Sequence, residues 1–281
     1  MKQRQTDINT EADLTRVSNT VFYLPFAYNY SVRLRTPGKL LSWMLIYLMP
    51  TGWYSWLAAG GVSWLFCINY LLIHVAAFTL YEIGYIHNDT FATLREQKPT
   101  LRLSEKNSEY FYSHVGHIFF ARVTTAAILL TVFLLLNDFS AEAIVTTVST
   151  GLIPIVFLIY NRWRNRWNVL LYPILVFSRY LPFLLPYSPS WQIYMLLFLS
   201  FPCCNMLERF SMPSYRFPVI RKIIPTESSK TYFRVGYYAI ALALLLPFFG
   251  MRELIPLVIL GSYRCAVALL LQFYSPKRYL K

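Results

Sequence analysis

Two acidic residues in this 281-residue chain sit where they could do chemistry. Glu82 and Asp89 are seven positions apart, two helical turns, so they share one face of a helix together with Tyr85. If the helix runs on, Glu96 falls seven residues further along the same stripe. Arg95, Lys98, Arg102 and Lys106 follow directly. Carboxylates beside cations at the end of an apolar run suit Mg²⁺, which takes oxygen ligands and bridges to substrate phosphates. The guanidinium groups would grip phosphate oxygens in pairs. The plainer reading is an interfacial polar cap with ordinary cytoplasmic charge, and the two weigh about equally on residue type alone. Glu82 lies more than a turn inside the apolar run, where an acid is costly and marks function or a buried partner among Arg122, Arg179 and Arg264.

A second polar group, Asn205, Glu208, Arg209, Arg216, Arg221 and Lys222, follows another apolar run. Asn205 and Glu208 are three apart and face the same way on a helix. For Arg221 and Lys222 a solvated loop is the better reading. His114 and His117 are also three apart, but no cysteine or nearby carboxylate completes a metal site, so hydrogen-bonded interfacial histidines are expected. His74 is expected as a satisfied core residue. The four cysteines, Cys67, Cys203, Cys204 and Cys265, lie in or at apolar runs without a Cys-x-x-Cys pair, which points to buried, inert thiols. The sequence contains no glycine-rich phosphate loop, nucleophile elbow or dinucleotide fingerprint.

These groups must be positioned by apolar helices. The chain is 56% hydrophobic and only 14% charged, too little charge for a soluble domain of this size. Apolar runs long enough to cross a bilayer core of about 30 Å recur along it. The expected fold is all-α: a polytopic membrane helix bundle of about eight spans, near 38–57, 62–86, 114–136, 141–160, 168–186, 190–207, 235–250 and 254–273. Residues 1–37 form a polar, then aromatic leading segment, whose stretch 21–30 is expected at headgroup depth, and 38–281 form the bundle. With these spans, and Lys39 at the edge of the first counted with the leading segment, 22 of the 26 Lys and Arg fall on one side. Arg252 alone falls on the other, and Arg122, Arg179 and Arg264 fall inside spans. That asymmetry predicts a multi-pass protein with both termini in the cytoplasm. It also accounts for the net charge of +13 through anionic lipid and topology, leaving little reason to expect nucleic acid. The two long cytoplasmic loops follow spans two and six, a layout of two four-helix halves, each delivering an acidic motif to the same face.

With those motifs in place, the chain resembles the UbiA superfamily of intramembrane prenyltransferases. That family carries N-D-x-x-D-x-x-x-D after its second helix. Here Asn88 and Asp89 match, Ala92 replaces the middle acid, and Glu96 is a conservative last one, followed by Lys98-Pro99 and Arg102. The stretch Arg33-Leu34-Arg35-Thr36-Pro37 is similar to the family's Arg-Pro lead into its first helix. The resemblance implies Mg²⁺-assisted loss of diphosphate from a prenyl or phosphoribosyl donor, with attack by an acceptor such as a polyprenyl phosphate. Under it Asp89, Glu96 and Glu208 would hold the metal. Asn88, Arg95, Asn205, Arg209 and Arg216 would bind substrate, and Lys98 and Arg102, with Asp89, would serve the leaving group. The competing expectation is a non-catalytic binder or transporter of an anionic lipid on the same bundle, which the loss of the acid at Ala92 favours.

Overall fold

A computed structural model describes residues 17–95, 101–163, 168–212 and 217–274, and among them there are helices and no β-strand. Expected site residues Glu96, Lys98 and Arg216 lie outside the described residues.

Helical segments occupy all the apolar runs, but not as eight uninterrupted spans. Among the described residues four are individually long and apolar enough to cross a membrane. Helix α3 (Trp64–His87) continues through a π-turn, Asn88–Ala92. The others are α4 (Glu105–Leu136), α5 (Ala141–Arg162) and the last helix, Met251–Tyr274. A fifth crossing is possible if α7 (Trp191–Ser200) and α8 (Pro202–Phe210) act as one span, bent by 49°. The bend falls at Pro202, which cannot donate the hydrogen bond a straight helix needs there.

The first apolar run is likewise interrupted. It forms α1 (Pro37–Trp43), a π-turn (Met44–Leu48) and α2 (Met49–Ala58). The fifth forms α6 (Asn168–Ser178) and then two single turns at Leu181–Phe183 and Leu185–Tyr187, each with a proline in its first turn. After the short α9 (Pro218–Ile223), α10 (Glu227–Leu245) packs along α11 (Met251–Tyr274). Helix α4 begins well before its apolar part. Ser104 caps it by accepting from the Asn107 N–H, so the polar residues 105–113 are helix rather than loop.

Helix α3 is the axis of the assembly, packed along both α4 and α5. It can lie close to α5 because residue 84 is glycine: a Cβ there would collide with the Phe157 ring. The described part of the leading segment packs against the helices. Val21, Phe22 and Tyr28 are buried against α3 and α4. Arg122 of α4 draws the segment in: its Nε donates to the Phe22 carbonyl (2.6 Å), and its Nη2 donates to those of Val21 and Leu24 (3.1 and 3.3 Å). Nη1 donates to Glu82 Oε2 (2.8 Å) and the Thr79 carbonyl (3.3 Å), while Glu82 Oε1 accepts the Asn29 N–H (2.6 Å). Glu82 therefore has the buried structural partner that its position in the apolar run demands.

Two smaller expectations change. His74 is buried, but neither ring nitrogen has a hydrogen-bond partner; it sits among rings instead, stacked on Phe26 (5.3 Å), Tyr70 (5.7 Å) and Phe78 (6.0 Å). Among the cysteines only Cys204 is fully buried, and Cys67 and Cys265 face outward. Outward-facing apolar side chains are normal where lipid is the solvent.

Candidate functional site

The ends of α3 and α8, the start of α1, the stretch just before it and the residues after α6 surround a cavity of about 500 Å³. That volume is in the range of small-molecule sites, about 300–1,000 Å³. Five cations line it: Arg33, Lys39, Arg102, Arg179 and Arg209. Asn88 and Asn205 add amide groups, and Trp43, Tyr81, Tyr85, Tyr160 and Tyr172 supply aromatic walls. Among the described residues no carboxylate lines it. The structure thus brings together Asn88, Arg102, Asn205 and Arg209 from the two polar motifs. Arg95 ends a short turn, Thr93–Arg95.

The acids point elsewhere. Asp89 is fully buried and behind the wall. Its Oδ1 accepts from Arg33 Nη2 (2.6 Å), Arg102 Nη1 (2.8 Å) and Asn88 Nδ2 (3.2 Å), and its Oδ2 accepts from the Tyr28 hydroxyl (3.0 Å). Burial, together with the adjacent Asp89 charge, pushes the Tyr28 hydroxyl well above its usual pKa, which keeps it a donor. For Arg33, burial opposes the charge, but Asp89 and the neighbouring tyrosines more than offset it and raise its pKa. Glu208 is held in a two-pronged pair by Arg234 of α10, Nε to Oε1 at 2.5 Å and Nη2 to Oε2 at 2.7 Å. The Cys204 thiol donates to the same Oε1 at 3.7 Å. Both oxygens of each acid are committed to donors, and Asp89 and Glu208 do not face each other across the cavity. As arranged they do not fit a divalent-cation site, and no cluster of three or more His, Cys, Asp or Glu exists among the described residues.

Arg179 is the residue that the sequence reading undervalued. It follows α6, where the helix gives way to single turns, and it is 93% buried. Unlike Arg122 it has no carboxylate among the described residues. Its guanidinium lies over the rings of Tyr47, Tyr81 and Tyr180 at 4.8, 4.9 and 5.2 Å. Among the described residues its hydrogen bonds are long, to the hydroxyls of Tyr85 (3.5 Å) and Tyr180 (3.4 Å), and its Nε–H has no partner. The buried Nε–H of Arg33 has none either, although that guanidinium also stacks on Tyr85 at 3.9 Å. Arg209 donates to the Tyr160 hydroxyl (2.9 Å) and lies over Tyr172. Aromatic faces attract cations but do not neutralise them, so the rings leave the charge of Arg179 unmatched by any acid among the described residues.

Leu34 and Trp43 are shared with a neighbouring apolar groove of about 380 Å³, whose other walls include Pro25, Phe26, Ala27, Tyr30 and Leu40. A cationic chamber and an apolar groove therefore meet at one wall. The sequence signals available for the missed residues were modest: an arginine inside an apolar run for Arg179, and the Arg-Leu-Arg-Thr-Pro stretch for Arg33. A comparison of the chain with family models, curated proteins and solved structures finds no match to any of them.

Proposed function

We propose that the cavity seats the phosphate or diphosphate head of an isoprenoid lipid, and that the chain is a UbiA-like membrane transferase acting on that head. The observation that carries the binding reading is Arg179, a buried arginine with no acidic partner among the described residues and an orphaned Nε–H, on the wall of a chamber with four more cations. Leaving a charge unpaired in such a place costs several kcal/mol, on the order of the penalty for a lone buried ion, and an anionic ligand relieves it. The adjoining apolar groove gives the hydrocarbon part of the same ligand a place to lie.

In the transfer reading, the C1–O bond of a prenyl or phosphoribosyl donor breaks and its electron pair leaves with the diphosphate. The acceptor's nucleophile forms the new bond to C1, and its proton goes to the departing diphosphate. Arg179, Arg33, Arg102 and Arg209 hold the leaving oxygens and take up the charge that develops on them. Asn88 and Asn205 orient the head, and the tyrosine walls exclude water and face the carbon centre. The helices at the remaining apolar runs complete eight crossings in two halves, with the cavity and both termini on the cytoplasmic side, as the distribution of Lys and Arg favours.

One observation favours a second reading, a non-catalytic binder or transporter of an anionic lipid: Asp89 and Glu208, the motif acids among the described residues, are tied up in ion pairs. Native mass spectrometry of the purified protein decides. A co-purified isoprenoid phosphate that is lost in Arg179→Met supports the site, and pyrophosphate released from an added prenyl diphosphate selects the transferase. Wild-type protein free of any phosphate-bearing lipid, and unable to take one up, sinks both readings.

A further inference from the structure

We infer that Asp89 is a positioning residue for two arginines of the cavity, and that the lipid head is bound without a divalent cation held by Asp89 or Glu208. This rests on the phosphate-lipid reading of the cavity and specifies how its charge is met.

Arg33 comes from the leading segment and Arg102 from the stretch before α4. One carboxylate oxygen, Asp89 Oδ1, accepts from both, at 2.6 and 2.8 Å. Two guanidinium groups converging on one oxygen would otherwise repel each other. The buried carboxylate holds them together while it stays behind the wall they form. Each guanidinium spends one N–H on Asp89 and has others on a fixed planar fork, which is the geometry that grips phosphate. Arg33 keeps a buried Nε–H without a partner. A divalent ion at Asp89 would have to displace Arg33, Arg102 and Tyr28 from its oxygens, and so would dismantle two of the cavity's five cations. At Glu208 the ion would have to displace both prongs of Arg234. Both acids thus act as counter-ions that aim arginines.

The test is calorimetric titration of the full-length protein in detergent with geranyl diphosphate, and separately with inorganic pyrophosphate, in EDTA and in Mg²⁺. The expected result is the same Kd in both buffers. Asp89→Asn keeps an acceptor oxygen but loses the charge that lets two arginines share it. Its binding should fall about tenfold, equally in EDTA and Mg²⁺, as expected when a charge-paired partner is lost. The loss should shrink when Arg102 is already Gln, because Asp89 acts through that side chain and coupled neighbours are not additive. Binding that appears only with Mg²⁺ overturns the inference and leaves the phosphate site standing. Wild-type affinity in Asp89→Asn, or full additivity with Arg102→Gln, overturns the positioning role. No binding in either buffer removes the site itself. The metal comparison uses wild-type protein, so it holds even if a variant fails to fold.

Discussion

Replacing Arg179 by Met separates a ligand-binding arginine from a structural one by the size of its effect on stability and by the response to ligand. In the empty protein the substitution removes ring contacts at 4.8, 4.9 and 5.2 Å, worth about 0.5–2 kcal/mol each when desolvated, and two hydrogen bonds of 3.5 and 3.4 Å that are too long to count for much. It also removes a buried charge without an acidic partner among the described residues, whose desolvation costs several kcal/mol. The two nearly cancel, so the unliganded variant should unfold within about 2 kcal/mol of wild type. Binding behaves differently. A guanidinium about 4 Å from an anionic oxygen contributes about 4 kcal/mol at an effective dielectric constant near 20, roughly a thousandfold in Kd. Thermal unfolding in detergent, with and without geranyl diphosphate, reads both quantities. Wild type should melt at higher temperature with the ligand, as any protein does that binds it only when folded, and Arg179→Met should not respond. An unliganded variant destabilised by far more than 2 kcal/mol would make Arg179 a structural residue. A variant that responds to ligand like wild type would move the anion elsewhere.

Arg122→Met should do the opposite: it strands Glu82 and removes five hydrogen bonds, so unfolding should become easier by about 3–5 kcal/mol, and limited proteolysis should cut in the released stretch 17–36. Gly84→Ala drives a methyl group into the Phe157 ring, which also lines the cavity. It should cost about 1–3 kcal/mol in a denaturation series and reduce ligand uptake, whereas Gly116→Ala, with open space around it, should not. The charge asymmetry predicts sidedness: in a cysteine-free background, Arg252→Cys should react with an impermeant maleimide added outside intact cells, and Lys222→Cys should react only after permeabilisation. The reverse pattern would invert the topology.

What the sequence made legible, and what it hid, follows from what kinds of interaction it encodes locally. Helix starts are local: Ser63, Ser104 and Ser140 each accept from the backbone three residues on, and each opens a long helix where an apolar run begins or soon will. The shared face of Glu82 and Asp89 is local too, and both side chains do meet the same leading segment, at Asn29 and Tyr28. Continuity of a span is less local. Hydropathy averages over Pro182, Pro186 and Pro202, but the backbone cannot, and the runs they interrupt break into turns or bend. The role of Asp89 is not local at all. An acid after an apolar run with arginines nearby has the same pattern whether the arginines serve a phosphate or serve the acid. Only the fold shows that Arg33, 56 positions away, and Arg102 converge on one of its oxygens.

The bundle contains its own control for the importance of Arg179. Arg122 and Arg179 are both arginines in apolar surroundings, and both are buried. The fold completes the first: one carboxylate and four carbonyls occupy its N–H groups, and the result fastens the leading segment to α3 and α4. A chain able to satisfy one buried guanidinium so fully is not short of means to satisfy another. Methionine or leucine at 179 would fill the same space among the rings at less electrostatic cost. Instead the second guanidinium has long contacts, an orphaned Nε–H and an adjoining cavity with four further cations. That combination is what sets Arg179 apart as the residue on which the proposed binding reading rests. A chamber whose walls bear arginine, lysine and asparagine but, among the described residues, no acid is suited to the anion proposed above, and the apolar groove beyond Leu34 and Trp43 is where the proposed ligand's hydrocarbon tail would lie.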